Sequence, residues 1–172
     1  MAAGNTYELI SSQTVSNGTT ATISFTSIPS TYTDIVVMFN GGGESGGGNV
    51  QVKVNNDTGA SYSFTLFRGS GSAASGDRET TSTISGYFRW GAYATPSSGV
   101  YSTFDVMHFL DYSNTTTYKT VLMRANNAQG GCDATAGLWQ STSAINRLDI
   151  TLPAPSYFMN GSTFRLYGIA SA

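Results

Sequence analysis

Apolar and polar residues alternate along this chain with a period of two. Ile23-Ser24-Phe25, with Ile28 beyond, sets the pattern. Val50-Gln51-Val52-Lys53-Val54, Leu148-Asp149-Ile150-Thr151-Leu152 and Phe164-Arg165-Leu166 repeat it. Successive side chains of an extended strand point to opposite faces, so each run buries one face and wets the other. β-Branched and aromatic residues fill these runs, which suits a pleated, half-buried surface. No stretch longer than two turns keeps a helical period. The pattern predicts strands over residues 6–15, 20–28, 33–39, 49–55, 61–68, 80–90, 101–110, 117–125, 133–140, 144–152 and 163–169. Turn residues separate them at Asn17-Gly18, Pro29-Ser30, Asn55-Asn56-Asp57, Pro96-Ser97-Ser98-Gly99, Gly130-Gly131 and Asn160-Gly161. Ten or eleven short strands with regular turns predict an all-β sandwich or barrel.

One segment breaks the alternation. Ile35-Val36-Val37-Met38-Phe39 is apolar on both faces, which predicts a central strand covered on each side or a face turned to a partner subunit. Two glycine-rich stretches, Gly41 to Gly48 and Gly69 to Gly76, read as mobile loops within one domain, because the strand pattern is alike on either side. With no internal repeat and no shift of composition, residues 1–172 read as a single β-sandwich domain.

Composition narrows the function classes. Charged residues are 10% of the chain, against about 25% in ordinary globular proteins. Small neutral polar residues take their place, with 23 Ser and 23 Thr. A net charge of −2 leaves no basic footprint, so no direct nucleic-acid partner is expected. The longest strongly apolar run is Ile35 to Phe39, far short of a membrane-crossing helix, and no membrane partner is expected. Residues 1–12 lack the basic start and apolar centre of a signal peptide. One cysteine excludes an internal disulfide, and one histidine with one cysteine excludes the usual zinc cages.

The residues able to carry chemistry are few. His108 could formally join a serine and Asp105 or Asp111 in a triad. It shares a strand face with Phe104 and Val106, however, and reads as a histidine packed or hydrogen-bonded at the sheet. No Gly-x-Ser-x-Gly elbow occurs. Cys132, in Gly130-Gly131-Cys132-Asp133, has no base nearby in sequence and reads as a small, partly buried residue at a strand start. Asn55-Asn56-Asp57 is the most oxygen-rich turn, but calcium takes six to eight oxygens and usually several carboxylates. A hairpin turn explains these residues without a metal. Neither glycine loop has the Lys-Ser/Thr pair or dinucleotide spacing of a phosphate cradle. The aromatics of Tyr87-Phe88-Arg89-Trp90-Gly91-Ala92-Tyr93 and Gly137-Leu138-Trp139-Gln140 could stack on sugars, or fill the core and interfaces as aromatics mostly do. Sequons at Asn17, Asn56, Asn114 and Asn160 follow from the abundance of Ser and Thr. No catalytic, cofactor-binding or metal-binding residue is assigned.

A family resemblance carries the functional expectation. Asn5-Thr6-Tyr7-Glu8-Leu9-Ile10-Ser11-Ser12, followed by Ile23-Ser24-Phe25-Thr26-Ser27-Ile28-Pro29-Ser30-Thr31-Tyr32-Thr33-Asp34-Ile35, resembles the opening of small virion structural proteins of tailed bacteriophages. Gly137-Leu138-Trp139, Ala144-Ile145 and Gly161-Ser162-Thr163-Phe164-Arg165-Leu166-Tyr167-Gly168-Ile169 fit the same family. The match frames both ends of the chain and is weak in the middle. It implies an antiparallel jelly-roll-like β-sandwich of about ten short strands, with no catalytic residues and no cofactor. The implied role is a capsid decoration (cement) protein. It would be a homotrimer that binds the major capsid protein or other virion proteins, made in the host cytoplasm and located in the virion. The alternative within the family is a tail-fibre or tail-tip domain that recognises a host surface glycan. An esterase or depolymerase would need clustered acids or a triad centred on His108, and the sequence shows neither.

Overall fold

The computed structural model describes residues 6–43, 49–84, 86–88, 103–127 and 130–170. The described residues contain twelve strands and no helix. They are β1 (Tyr7–Thr14), β2 (Thr22–Phe25), β3 (Asp34–Gly41), β4 (Val50–Val54), β5 (Tyr62–Gly69), β6 (Ala74–Ser82), β7 (Tyr87–Phe88), β8 (Thr103–Leu110), β9 (Lys119–Asn127), β10 (Gly131–Trp139), β11 (Leu148–Thr151) and β12 (Thr163–Ile169). They form an eight-stranded sheet ordered β1-β12-β3-β8-β9-β10-β5-β6 and a four-stranded sheet ordered β2-β11-β4-β7. Every strand pairing is antiparallel.

This order is a jelly roll with two added hairpins. Without β5–β6 and β9–β10, the chain crosses between sheets at every step except β4 to β7, giving β1-β12-β3-β8 in one and β2-β11-β4-β7 in the other. Two Greek keys wound together produce that interleaving. The hairpins β9–β10 and β5–β6 then extend the larger sheet beyond β8.

The period-two pattern explains the core. Ile23 and Phe25 of β2, Val50, Val52 and Val54 of β4, and Leu148 and Ile150 of β11 point inward from the small sheet. Ile35, Val37 and Phe39 of β3, Met107 and Phe109 of β8, and Phe164 and Leu166 of β12 meet them from the large one. Each fully buried side chain of this size stabilises the fold by roughly 1.5–3 kcal/mol relative to exposure. Phe39 stacks on Phe164 at 4.5 Å between ring centroids, and Phe158 meets Phe164 edge-on at 4.8 Å. A satellite cluster joins Phe64 and Leu66 of β5 to Ile84 in the β6–β7 connection.

Several sequence expectations change. The predicted strand over 80–90 is two strands in different sheets: β6 ends at Ser82 and β7 begins at Tyr87. Gly86 lies between them at a φ of 143°, and a Cβ there would stand 2.9 Å from Thr135 Cγ2. The stretch from Gly69 to Gly76, read as a loop, holds only a short turn closed by Ser70 N–H to Ala73 C=O at 2.9 Å. β6 already starts at Ala74. Composition concealed it because an edge strand exposed on both faces needs no apolar alternation. The strand predicted over 144–152 is confined to Leu148–Thr151, since the Ile145 N–H is held by the Tyr112 carbonyl outside any ladder. The turn at Pro96–Gly99 and residues 44–48 of the first glycine stretch lie outside the described residues.

The residues that carry the family resemblance are fold locks. Ile28 is buried, and the Pro29 carbonyl accepts the Tyr112 hydroxyl. Thr33 N–H bonds the Ile169 carbonyl at 2.9 Å, and the Tyr32 hydroxyl donates to Glu8 Oε2 at 3.1 Å. This connection ties β2, β3, β12 and β1 together at one end of the sandwich.

Candidate functional site

The outward face of the eight-stranded sheet is the most distinctive surface. Inward positions alternate regularly with outward ones along β8, β9 and β10. Outward positions in such sheets are usually polar. Here several are large and apolar: Phe67 is 63% exposed, Leu122 48% and Phe104 44%, with Tyr7 and Leu9 at the β1 edge. Two apolar hollows lie near the middle of this face, and a smaller one lies at its β5–β6 end. The larger, about 700 Å³, is lined from six strands and includes Tyr7, Met38, Val106, His108, Leu122 and Phe67. The second, about 440 Å³, continues along Phe104, Arg124, Cys132 and Phe67. Both apolar hollows open to solvent between the outward side chains and make this face locally concave. Val36 is 2% exposed on this side of the sheet. β3 is therefore the covered central strand that its apolar run predicted, flanked by β12 and β8.

His108 sits within this face together with Val106 and Phe104, as the strand pattern required. Its Nε2 lies 2.9 Å from Asp34 Oδ2. The other carboxylate oxygen of Asp34 accepts the Asp111 N–H at 2.8 Å. The acid that orients His108 is thus Asp34, 74 residues away, and neither Asp105 nor Asp111, which sequence proximity had offered. No hydroxyl partner of His108 is present among the described residues. Asp34 was invisible as its partner because only the β3–β8 register, Val36 opposite His108, brings the two strands together.

Asp105 points the other way, into the sandwich, and is fully buried. Its Oδ1 accepts the Asn126 N–H at 3.3 Å, while its Oδ2 has no partner among the described residues. Burial pushes this carboxyl well above the usual carboxylate range, and the neighbouring Asp133 adds to the rise. Asp133 is itself bonded by Arg68 Nε at 3.1 Å.

The remaining candidates resolve separately. The Asn55-Asn56-Asp57 turn has positive φ at both asparagines and a bond from Asp57 N–H to the Val54 carbonyl at 2.8 Å, the signature of a type I′ turn. It turns the chain between sheets rather than closing a hairpin, because β4 and β5 belong to different sheets. The Asp57 carboxylate accepts Gly59 N–H at 2.8 Å, Trp139 Nε1–H at 2.7 Å and the Ser61 hydroxyl. The Ser61 and Trp139 bonds outweigh partial burial and hold its pKa below the ordinary value. Beside it the buried Tyr62 phenol is pushed up to about 12. Trp139, considered as a sugar platform, is only 4% exposed and is part of the core. Trp90 and Tyr93 lie outside the described residues. Cys132 is exposed rather than partly buried, at the second residue of β10. No group of three metal-ligating side chains occurs among the described residues.

The apolar outward residues were missed because period-two reading looks for the dominant phase. The signal was there: Phe67 follows the in-phase Tyr62, Phe64 and Leu66 out of step, and Leu122 interrupts Val121, Met123 and Ala125.

In sequence the chain matches no family model and no curated protein. Among solved structures it is similar to a marine alginate lyase of group PL-14 from Aplysia kurodai, with 10% identity and a TM-score of 0.38 over 84% of this chain and 72% of that one. A second alginate lyase gives 11% identity and a TM-score of 0.35, over 80% and 68%. Likeness at this level assigns neither activity nor ligand to this chain.

Proposed function

We propose that this chain is a phage virion structural protein, and that it acts by non-covalent binding as a capsid decoration (cement) protein. The family resemblance supplies the virion assignment. The observation that carries the reading here is the use made of the resemblance residues: Ile28, Pro29, Tyr32, Thr33, Asp34, Phe164, Leu166 and Gly168 all lie in contacts that join strands or their connections. Such a chain presents surfaces rather than a reaction centre. A decoration protein stabilises a shell by binding its assembled state in preference to free subunits. In this reading the subunits are homotrimeric and bridge neighbouring shell proteins. Quantitative mass spectrometry of purified virions tests it. Copy number near that of the major shell protein supports decoration, and a handful of copies per particle rejects it.

The concave outward face supports a second reading, recognition of a host surface glycan by a tail component. Exposed aromatic rings beside hydrogen-bonding side chains suit sugars, which present both an apolar ring face and hydroxyls. Sparse copies in the virion, located at the tail by immunogold labelling, would favour it over decoration.

A further inference from the structure

We infer that the concave outward face of the eight-stranded sheet binds an acidic polysaccharide. This deepens the glycan-recognition reading and rests on it.

The inference stands on where the arginines are. The chain is net acidic, at −2, with eight Lys and Arg in all. Three of them, Arg78, Arg124 and Arg165, are exposed at outward positions of this one face. Strand register places them. Arg165 lies opposite Met38, Met38 opposite Val106, and Val106 opposite Arg124, so one row crosses β12, β3, β8 and β9. Arg78 lies opposite Thr65, Thr65 opposite Ala136, and Ala136 opposite Leu122, two residues from Arg124. With about 4.8 Å between strands, the backbone positions of Arg165 and Arg124 are about 14 Å apart, and those of Arg124 and Arg78 about 16 Å. Arg124 lines both apolar hollows, Arg78 lines a further hollow beside β6, and Arg165, on β12, lies in the same row as Arg124.

None of the three has a side-chain partner among the described residues. Two carboxylates accompany them: Asp34, whose oxygens are engaged by His108 and the Asp111 N–H, and Glu79, which lines a hollow together with Arg78. The face is therefore a positive, concave strip on an acidic protein, and a guanidinium fork matches a carboxylate or sulfate geometrically. Phe67 and Phe104 flank Arg124 and give a sugar ring flat apolar surfaces. An acidic polysaccharide carries an anion on each acidic sugar, so three guanidinium groups at fixed spacing find partners along it without a unique register. A second copy of this face is a poor occupant, since like charges would meet across the contact.

The test uses the intact protein and measures binding by isothermal titration calorimetry to polygalacturonate and chondroitin sulfate, with neutral dextran and poly-glutamate as comparators. Arg124→Ala, Arg165→Ala and Arg78→Ala are each expected to weaken binding to the acidic sugars about tenfold, the value of a lost charge-assisted hydrogen-bond pair. Lys53→Gln, in the other sheet, is expected to leave binding unchanged. Raised salt weakens it, because the contacts are solvent-exposed charges. None of the three makes a side-chain hydrogen bond or ion pair among the described residues, so a variant that loses binding is expected to keep its unfolding midpoint. Dextran bound as well as the acidic sugars overturns the acidic ligand and leaves glycan recognition standing. Poly-glutamate bound as tightly as polygalacturonate overturns it in favour of an acidic protein segment. Absence of binding to every sugar overturns both the inference and the glycan reading.

Discussion

The ring of Tyr32 lies flat against the backbone of Gly168. A Cβ placed on Gly168 would stand 2.3–2.4 Å from three atoms of that ring. The contact joins the β2–β3 connection to β12, the strand between β1 and β3. Both residues belong to the segments that carry the family resemblance. Glycine is required at 168 by this close approach rather than by an unusual backbone angle.

Gly168→Ala is therefore expected to destabilise the protein by about 1–3 kcal/mol, the usual cost of forcing extra volume into a packed site. Urea unfolding should show a lower midpoint with an unchanged slope. An unchanged midpoint would mean that the ring moves aside freely and that this contact does not lock the connection.

Asp57 joins three donors from three positions, Gly59, Ser61 and Trp139. Asp57→Ala leaves the Trp139 indole N–H without its acceptor, and a loss of about 1–3 kcal/mol is expected. The carboxylate's folded pKa is depressed, so its stabilisation is present above the unfolded value near 3.9 and is lost as pH falls through the folded value. Acid titration followed by tryptophan fluorescence should show that loss in the parent protein and not in the variant.

Asp105 has the opposite sign. Its folded pKa is raised, so its contribution is fully present below the unfolded value near 3.9 and is lost as pH rises through the folded value. Asp105→Asn keeps the shape and removes the titration. The variant should gain stability relative to the parent progressively as pH rises above about 4. Urea midpoints of both proteins across the acid-to-neutral range measure this directly. A constant difference between them would show that Asp105 titrates alike in the folded and unfolded states, so that burial does not raise its pKa.

Asp34 accepts hydrogen bonds from two separate elements, the His108 ring and the backbone of Asp111. Asp34→Ala is expected to cost about 1–3 kcal/mol, and His108→Ala less, because the Asp111 N–H then keeps its acceptor. Hydrogen exchange at the Asp111 amide distinguishes the two: protection is lost in the first variant and kept in the second.

The strand class, the positions of most strands and the composition of the core were legible in the sequence. Val50-Gln51-Val52-Lys53-Val54 folds as β4 with all three valines buried, as its alternation demands. Local geometry suffices there, since a strand with one apolar face has a single way to bury it. β6 was not legible, because an exposed edge strand has no apolar face to announce it, and Asp77, Arg78 and Glu79 keep that edge charged. The sequence by itself thus determined which residues are inside. Only the tertiary structure decided which outward residues share a surface. Asp34 meets His108, and Arg165 and Arg124 fall in one row, through sheet order alone. Pairing between distant strands depends on the winding of the whole jelly roll, and no local pattern encodes it.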